Sequence, residues 1–142
     1  MTIDDRPDSV LEETTRHLGY NCVACVTAVL FNELGPSGIA TANMVAARFN
    51  IAPRYNLDVS RALWIIHDFA KLTPRPGKRN PWDPDAPDGY YAVFCLGRPH
   101  VIFGFRAAPR YYLYDPQVER DRDLATLIQE GFGPFECFHF GE

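Results

Sequence analysis

The pattern of apolar and polar positions divides the chain into a helical first half and a second half built of strands. Residues 22–31 (CVACVTAVLF) are almost wholly apolar, which predicts a helix with no side left for water. Asn21 would begin that helix, and Gly35-Pro36 would end it. Caps and helical spacing predict three further helices in this half, over 9–19, 41–49 and 60–72. The first half is therefore expected to supply the helices.

The second half carries short segments rich in aromatic and β-branched residues, which favour strands. They lie at 90–96, 100–106, 110–115 and 135–140, with a helix predicted over 121–130 before the last one. Helices followed by antiparallel strands are typical of an α+β fold. With 142 residues, the chain is expected to form one domain, 1–142.

A proline-rich loop at 73–89 separates the two halves and holds five prolines. A loop of this length is unusual as a mere connector in a compact domain. One interpretation gives it a role in recognition, with Trp82 as a substrate-binding candidate. The other treats it as a surface excursion.

Residues 100–115 (HVIFGFRAAPRYYLYD) predict a hairpin that brings a histidine to a carboxylate. If the chain turns through 106–109, with Phe105 and Arg110 as the closing pair, His100 lies directly across from Asp115. Facing Cβ atoms in such a pair are about 4.5–5.5 Å apart. A buried aspartate there would orient the imidazole and stabilise its charged form. The alternative is a histidine at a strand end with an ordinary hydrogen-bond partner.

Charge and hydropathy exclude several classes of function. The net charge is −4 and no block of lysines or arginines occurs, so binding to nucleic acid or to anionic lipid is not expected. No apolar run approaches the eighteen or so residues of a membrane span, and the acidic N-terminus lacks the apolar region of a secretory signal.

The four cysteines are expected to be free thiols, because a chain of this length needs no disulfides to fold. Cys22 lies in the first turn of the apolar helix, with Asn21 as its predicted N-cap. The unpaired N–H groups and positive dipole end at that place stabilise a thiolate and can also stabilise an oxyanion. Cys25, one turn further, is interpreted as a small buried hydrophobe.

Three short motifs resemble those of bacterial papain-fold toxins, the effector and polymorphic-toxin glutamine deamidases. They are N-C-V-A-C-V at 21–26, P-H-V-I-F-G at 99–104 and L-Y-D-P-Q at 113–117. The resemblance implies a papain-like fold in which helices, one of them headed by the catalytic cysteine, pack on an antiparallel sheet. It implies Cys22 as nucleophile, His100 as general base and acid, and Asp115 as orienting residue.

One position departs from the papain pattern. In papain a glutamine six residues before the cysteine supports the oxyanion, and here that position holds Arg16. Asn21 and Gln117 are the candidates to support the site in its place.

The resemblance also implies a function, which is deamidation of a protein glutamine through a thioester intermediate. It implies a protein substrate bearing that glutamine, a cognate immunity protein, and delivery by a specialised secretion system into the cytoplasm of a target cell. We expect neither a cofactor nor a metal. A papain-like cysteine protease is the alternative enzyme, because the same triad cleaves peptide bonds.

Other classes of function remain open from the residues alone. Cys22 and Cys25 form a C-x-x-C pair, which could be half of a zinc site completed by Cys137 and His139, or by Cys95 and His100. A C-x-x-C pair also occurs in thioredoxin-like redox proteins, although only a helical pattern precedes it here. A noncatalytic papain-like interaction module is a further alternative.

Overall fold

The computed structural model describes residues 22–35, 38–50 and 58–141, which form helices and one antiparallel five-stranded sheet. The α+β prediction is confirmed. The predicted helix over 9–19 and the predicted N-cap Asn21 lie outside the described residues. The helices are α1 (Cys22–Leu34), α2 (Ala42–Phe49), α3 (Val59–Ala70) and α4 (Leu124–Gln129). The strands are β1 (Gly89–Cys95), β2 (His100–Ala107), β3 (Arg110–Asp115), β4 (Arg120–Arg122) and β5 (Phe135–Phe140).

Short polar side chains fix where three of the helices begin. Thr41 accepts a hydrogen bond from the backbone N–H of Met44, and Asp58 accepts one from that of Arg61. These bonds satisfy backbone donors that have no partner within the helix. Asp123 caps α4 in the same way.

The prediction of a helix over 121–130 was wrong in its first part. Residues 120–122 form β4, in which Arg122 is paired with Leu113 and Arg120 with Asp115. Only residues 124–129 are helical, after the Asp123 cap. The three residues of β4 are all charged, so they lack the apolar alternation by which a strand is recognised.

Helix α1 is the centre of the first hydrophobic core. The strand order is β4-β3-β2-β1-β5, and α1 contacts β2 as well as α2 and α3. Every residue from 22 to 30 is buried, as the continuous apolar run predicted. Side chains of the facing sheet surface close this core, among them Phe94, Phe103 and Phe105.

The proline-rich loop closes a second core on the other face of the sheet. Trp82 packs there against Tyr111 and Phe135, with ring centroids 6.3 and 5.4 Å apart. The buried guanidinium of Arg106 donates to the carbonyl oxygens of Pro81 and Pro84, at 2.7 and 3.2 Å. These contacts make the loop a covering layer of the domain.

The β2–β3 hairpin is in a different register from the predicted one. Ala107 and Arg110 are the closing pair, so the chain turns through Ala108 and Pro109 alone. Pro109 has no N–H group for the ladder, which suits it to that turn. The shift is two residues, and because the side-chain period of a strand is also two, His100 and Asp115 remain on the same face.

Within the described ranges, no helix combines the length and the apolar character needed to cross a bilayer.

Candidate active site

Cys22 is the first residue of α1 and lies at one end of the sheet. The residue is buried, with 6% of its surface exposed. The first backbone N–H groups of a helix have no partner within the helix, and the helix dipole is positive at that end. Cys22 therefore lies where negative charge on a sulfur or an oxygen is stabilised.

His100 and Asp115 form a short hydrogen bond at the same end of the sheet. Nε2 of His100 lies 2.6 Å from Oδ2 of Asp115, and the two side chains are 15% and 4% exposed. Phe103 is paired with Tyr114, so the position opposite Asp115 is residue 102, two residues from His100. His100 and Asp115 are therefore diagonal neighbours on the sheet. A diagonal pair of this kind is within reach of long side chains. The structure thus brings together the two residues that the hairpin pattern linked, though in a different register.

Asp115 is held in place by the turn that follows it. Its Oδ1 accepts a hydrogen bond from the backbone N–H of Gln117 at 3.1 Å, which leaves Oδ2 for the imidazole. Asp115 is also the last residue of β3, paired with Arg120 of β4. Gln117 therefore supports the site through its main chain, while a role of its side chain as oxyanion donor stays a prediction.

The Cys22 sulfur is the second partner of the imidazole. Burial lowers the pKa of His100, but hydrogen bonds to Asp115 and Cys22 and the charges of both partners raise it to about 9, above its ordinary 6.5. Nε2 is engaged by Asp115, so Nδ1 is the nitrogen available to the sulfur. The three predicted residues accordingly share one site, in which the partners of His100 favour its imidazolium form.

Cys25 differs sharply from Cys22 although it lies only one turn away. It is fully buried. Burial first, and then the charges of Cys22, Asp115 and Glu119, raise the pKa of the Cys25 thiol to about 12. A thiol of that kind stays neutral and behaves as a small apolar side chain, as the sequence indicated.

Two further residues, Cys95 and Phe132, lie next to the Cys22–His100 pair. Neither of them was linked to a catalytic site from the sequence. Cys95 is paired with His100 across β1 and β2, and burial, Asp115 and Cys22 raise its pKa to about 12. The ring of Phe132 lies 6.0 Å from the imidazole, centroid to centroid. Pairing of the segments 90–96 and 100–106 could have suggested Cys95. No local pattern links Phe132 to His100, because the contact is made across the fold.

The remaining predicted site residue, Trp82, is half-buried in the second core. Its ring contacts with Tyr111 and Phe135 give it a structural role. A role as substrate anchor stays a prediction.

Of the residues considered for zinc, Cys95 and His100 lie beside Cys22, whereas Cys137 and His139 lie elsewhere. Cys137 is buried in the second core, and His139 contacts the Asp88 carbonyl oxygen, beside the first residue of β1. In the part of the chain that the structure describes, no three His, Cys, Asp or Glu side chains are grouped to hold a metal ion.

Comparison of the chain with protein-family models, curated proteins and solved structures finds no match.

Proposed function

We propose that the chain is a cysteine hydrolase of carboxamide bonds with a papain-like arrangement of its catalytic residues. The observation that carries the proposal is the 2.6 Å bond between His100 and Asp115, with the Cys22 sulfur as the imidazole's other partner. Acyl transfer requires a nucleophile, a base that contacts the nucleophile, and a carboxylate that orients the base. The cysteine at the head of a buried helix packed on an antiparallel sheet supports the papain-like interpretation of the fold.

The reaction begins with charge separation between Cys22 and His100. An imidazolium next to a sulfur stabilises the thiolate, which is the nucleophilic form of cysteine. The thiolate adds to the carbonyl carbon of the substrate amide, and the carbonyl oxygen becomes an oxyanion. In this proposal, the backbone N–H of Cys22 donates to that oxygen.

Proton transfer through His100 completes both halves of the reaction. The C–N bond breaks as the imidazolium gives its proton to the leaving nitrogen, and a thioester remains on Cys22. The neutral imidazole then takes a proton from water as that water attacks the thioester. The C–S bond breaks, a carboxylic acid is released, and the thiolate–imidazolium pair is restored.

We take the substrate to be the side-chain carboxamide of a glutamine in a protein. Ammonia then leaves, and glutamate replaces glutamine, which adds one negative charge to the substrate. The small size of the chain favours a single protruding side chain over an extended peptide held between two large lobes. By the resemblance of its motifs, the protein acts as a bacterial toxin or effector, is delivered to the cytoplasm of a target cell, and is matched by an immunity protein.

Expression in susceptible cells tests the proposal directly. We expect wild type to convert a specific glutamine of a cellular protein to glutamate, which intact-mass and peptide-mass spectrometry detect as exchange of NH₂ for OH. Cys22→Ala should abolish this change. Cys25→Ala is the matched control, since it removes a thiol one turn away that plays no part in the reaction.

The outcomes separate the candidate functions. Cleavage of a target chain that depends on Cys22 would identify a protease. Loss of the activity in Cys25→Ala as well as in Cys22→Ala, without loss of folding, would indicate a redox or metal-binding pair. Identical proteomes for wild type and Cys22→Ala would contradict catalysis and favour an interaction module.

A further inference from the structure

The turn between β1 and β2, residues 96–99, is fastened to the segment 131–134. Gly97 donates from its N–H to the Phe132 carbonyl at 3.0 Å, and Leu96 donates to the Pro134 carbonyl at 2.8 Å. A Cβ on Gly97 would clash with the carbonyl oxygens of Gly131 and Gly133. Only glycine permits this close approach, so the turn directly before His100 has a fixed position.

Arg98, at the tip of this turn, is held in place by an aromatic ring. Its guanidinium carbon lies 5.2 Å from the centroid of the Phe132 ring, whose face attracts cations. The same ring lies 6.0 Å from the imidazole of His100. The distance from the guanidinium carbon of Arg98 to the centre of the imidazole ring is therefore at most the sum of those two distances.

No residue that the structure describes neutralises the charge of Arg98. Within the residues that the structure describes, Arg98 is exposed and makes no hydrogen bond or ion pair. Arg122 contacts the same ring at 5.4 Å, but it is paired with Glu130 at 2.9 Å and its side chain is 13% exposed. Of the two arginines on Phe132, Arg122 is therefore paired with a carboxylate, and Arg98 is not paired with any described residue.

We propose that Arg98 is a specificity determinant that binds a carboxylate of the substrate next to the target carboxamide. A planar guanidinium with free donors binds a carboxylate through two parallel hydrogen bonds. The contact with the face of Phe132 restrains the guanidinium before the substrate binds, which reduces the entropy lost on binding. The favoured substrate is then a glutamine with an aspartate or glutamate close to it. This inference rests on the proposed function, because it takes Cys22 and His100 as the reacting groups.

Two alkylating reagents test the proposal without a known substrate. Iodoacetate and iodoacetamide have nearly the same size and react alike: the sulfur bonds to the methylene carbon and iodide leaves. They differ in carrying a carboxylate or a carboxamide. The quantity to measure is the ratio of their rates at Cys22, read by mass spectrometry at low ionic strength near neutral pH.

We expect Arg98→Gln to lower the iodoacetate-to-iodoacetamide ratio by about two- to tenfold, as for unit charges several ångströms apart near a protein surface. The difference from wild type should shrink in high salt, because exposed charges are screened. Arg110→Gln is the matched control: Arg110 is also exposed, but it begins β3 at the opposite end of the hairpin from His100. Its ratio should equal that of wild type.

Phe132 is tested with a second matched pair. Phe132→Leu should lower the ratio, because it removes the ring that holds Arg98. Phe135→Leu removes a ring from the same core but one that packs on Trp82, so it should leave the ratio unchanged. Equal effects of the two leucine variants would overturn the role of the ring.

The remaining outcomes separate this inference from the proposed function. An unchanged ratio in Arg98→Gln, with Cys22 still reactive, overturns the inference alone. A wild-type Cys22 that reacts no faster than a cysteine of the unfolded chain overturns the proposed function and the inference with it.

Discussion

Replacement of Asp115 by asparagine should lower the pKa of His100 while preserving the shape of the site. The asparagine can keep a hydrogen bond to the imidazole, but it carries no charge. In the wild-type protein, the charged pair is joined by a 2.6 Å bond and is largely shielded from water, since the side chains are 15% and 4% exposed. Water should therefore screen the effect of this charge on the pKa of His100 only weakly.

The size of the effect follows from the pKa of His100. The difference between the ordinary 6.5 and about 9 corresponds to roughly 3 kcal/mol in favour of the imidazolium. An adjacent opposite charge accounts for about one to three pKa units of such a difference. In Asp115→Asn, burial still lowers the pKa of His100 and only Cys22 still raises it. We expect the pKa to fall by about one to two units.

Protein stability should follow the same linkage. The pKa of His100 is higher in the folded than in the unfolded state, so its contribution is complete below the unfolded pKa. The contribution is lost as pH rises from 6.5 through about 9. Wild type should therefore lose stability over that window, and Asp115→Asn should lose less there.

Nuclear magnetic resonance of the imidazole protons measures the pKa of each histidine separately. The chain has four histidines, so the spectrum is simple to assign. His139 is the internal control, since burial lowers its pKa and it lies at the other end of the sheet. An ordinary pKa for His100 in wild type, or no change in Asp115→Asn, would refute the charge coupling.

Three further predictions concern activity and packing. The rate of the proposed hydrolysis should fall above about pH 9, because the imidazolium loses the proton that it gives to the leaving group; Asp115→Asn should move this limb to lower pH, and a limb that does not move would contradict the assignment. Gly97→Ala should lower the free energy of unfolding by roughly 1–3 kcal/mol, because the added Cβ meets backbone oxygens. Chemical denaturation measures this free energy, and a value equal to that of wild type would contradict the close approach. Trp82→Ala should destabilise the protein by about 2–3 kcal/mol with the His100 pKa unchanged; full stability with lost activity would instead favour Trp82 as a substrate anchor.

Local patterns in the sequence were sufficient to predict three of the four described helices and four of the five strands. The continuous apolar run after Asn21 predicted the central helix because a helix buried on all sides needs no polar face. Thr41 caps α2 through a neighbouring backbone group, and α2 begins where the pattern over 41–49 predicted it. Strand β4 escaped prediction because its pairing with β3 depends on the fold and not on its own three charged residues.

The candidate site shows which kinds of contact a sequence predicts. The link between His100 and Asp115 survived a register shift because a shift of two keeps both on one face. The predicted turn was two residues too long, since nothing in the sequence distinguished Phe105 from Ala107 as the closing residue. The contact of Phe132 with His100 depends on the segment 131–134 folding back on Gly97, which has no local signature.

The rate at which iodoacetamide alkylates Cys22 near pH 6, with and without His100, tests the central claim most directly. If the imidazolium maintains Cys22 as a thiolate, wild type should react at that pH far faster than an ordinary cysteine, and His100→Ala should lose most of that rate. Cys25 should be unreactive in both proteins, because its thiol is fully buried and neutral. A Cys22 that reacts at the same rate in wild type and His100→Ala would contradict a catalytic pair.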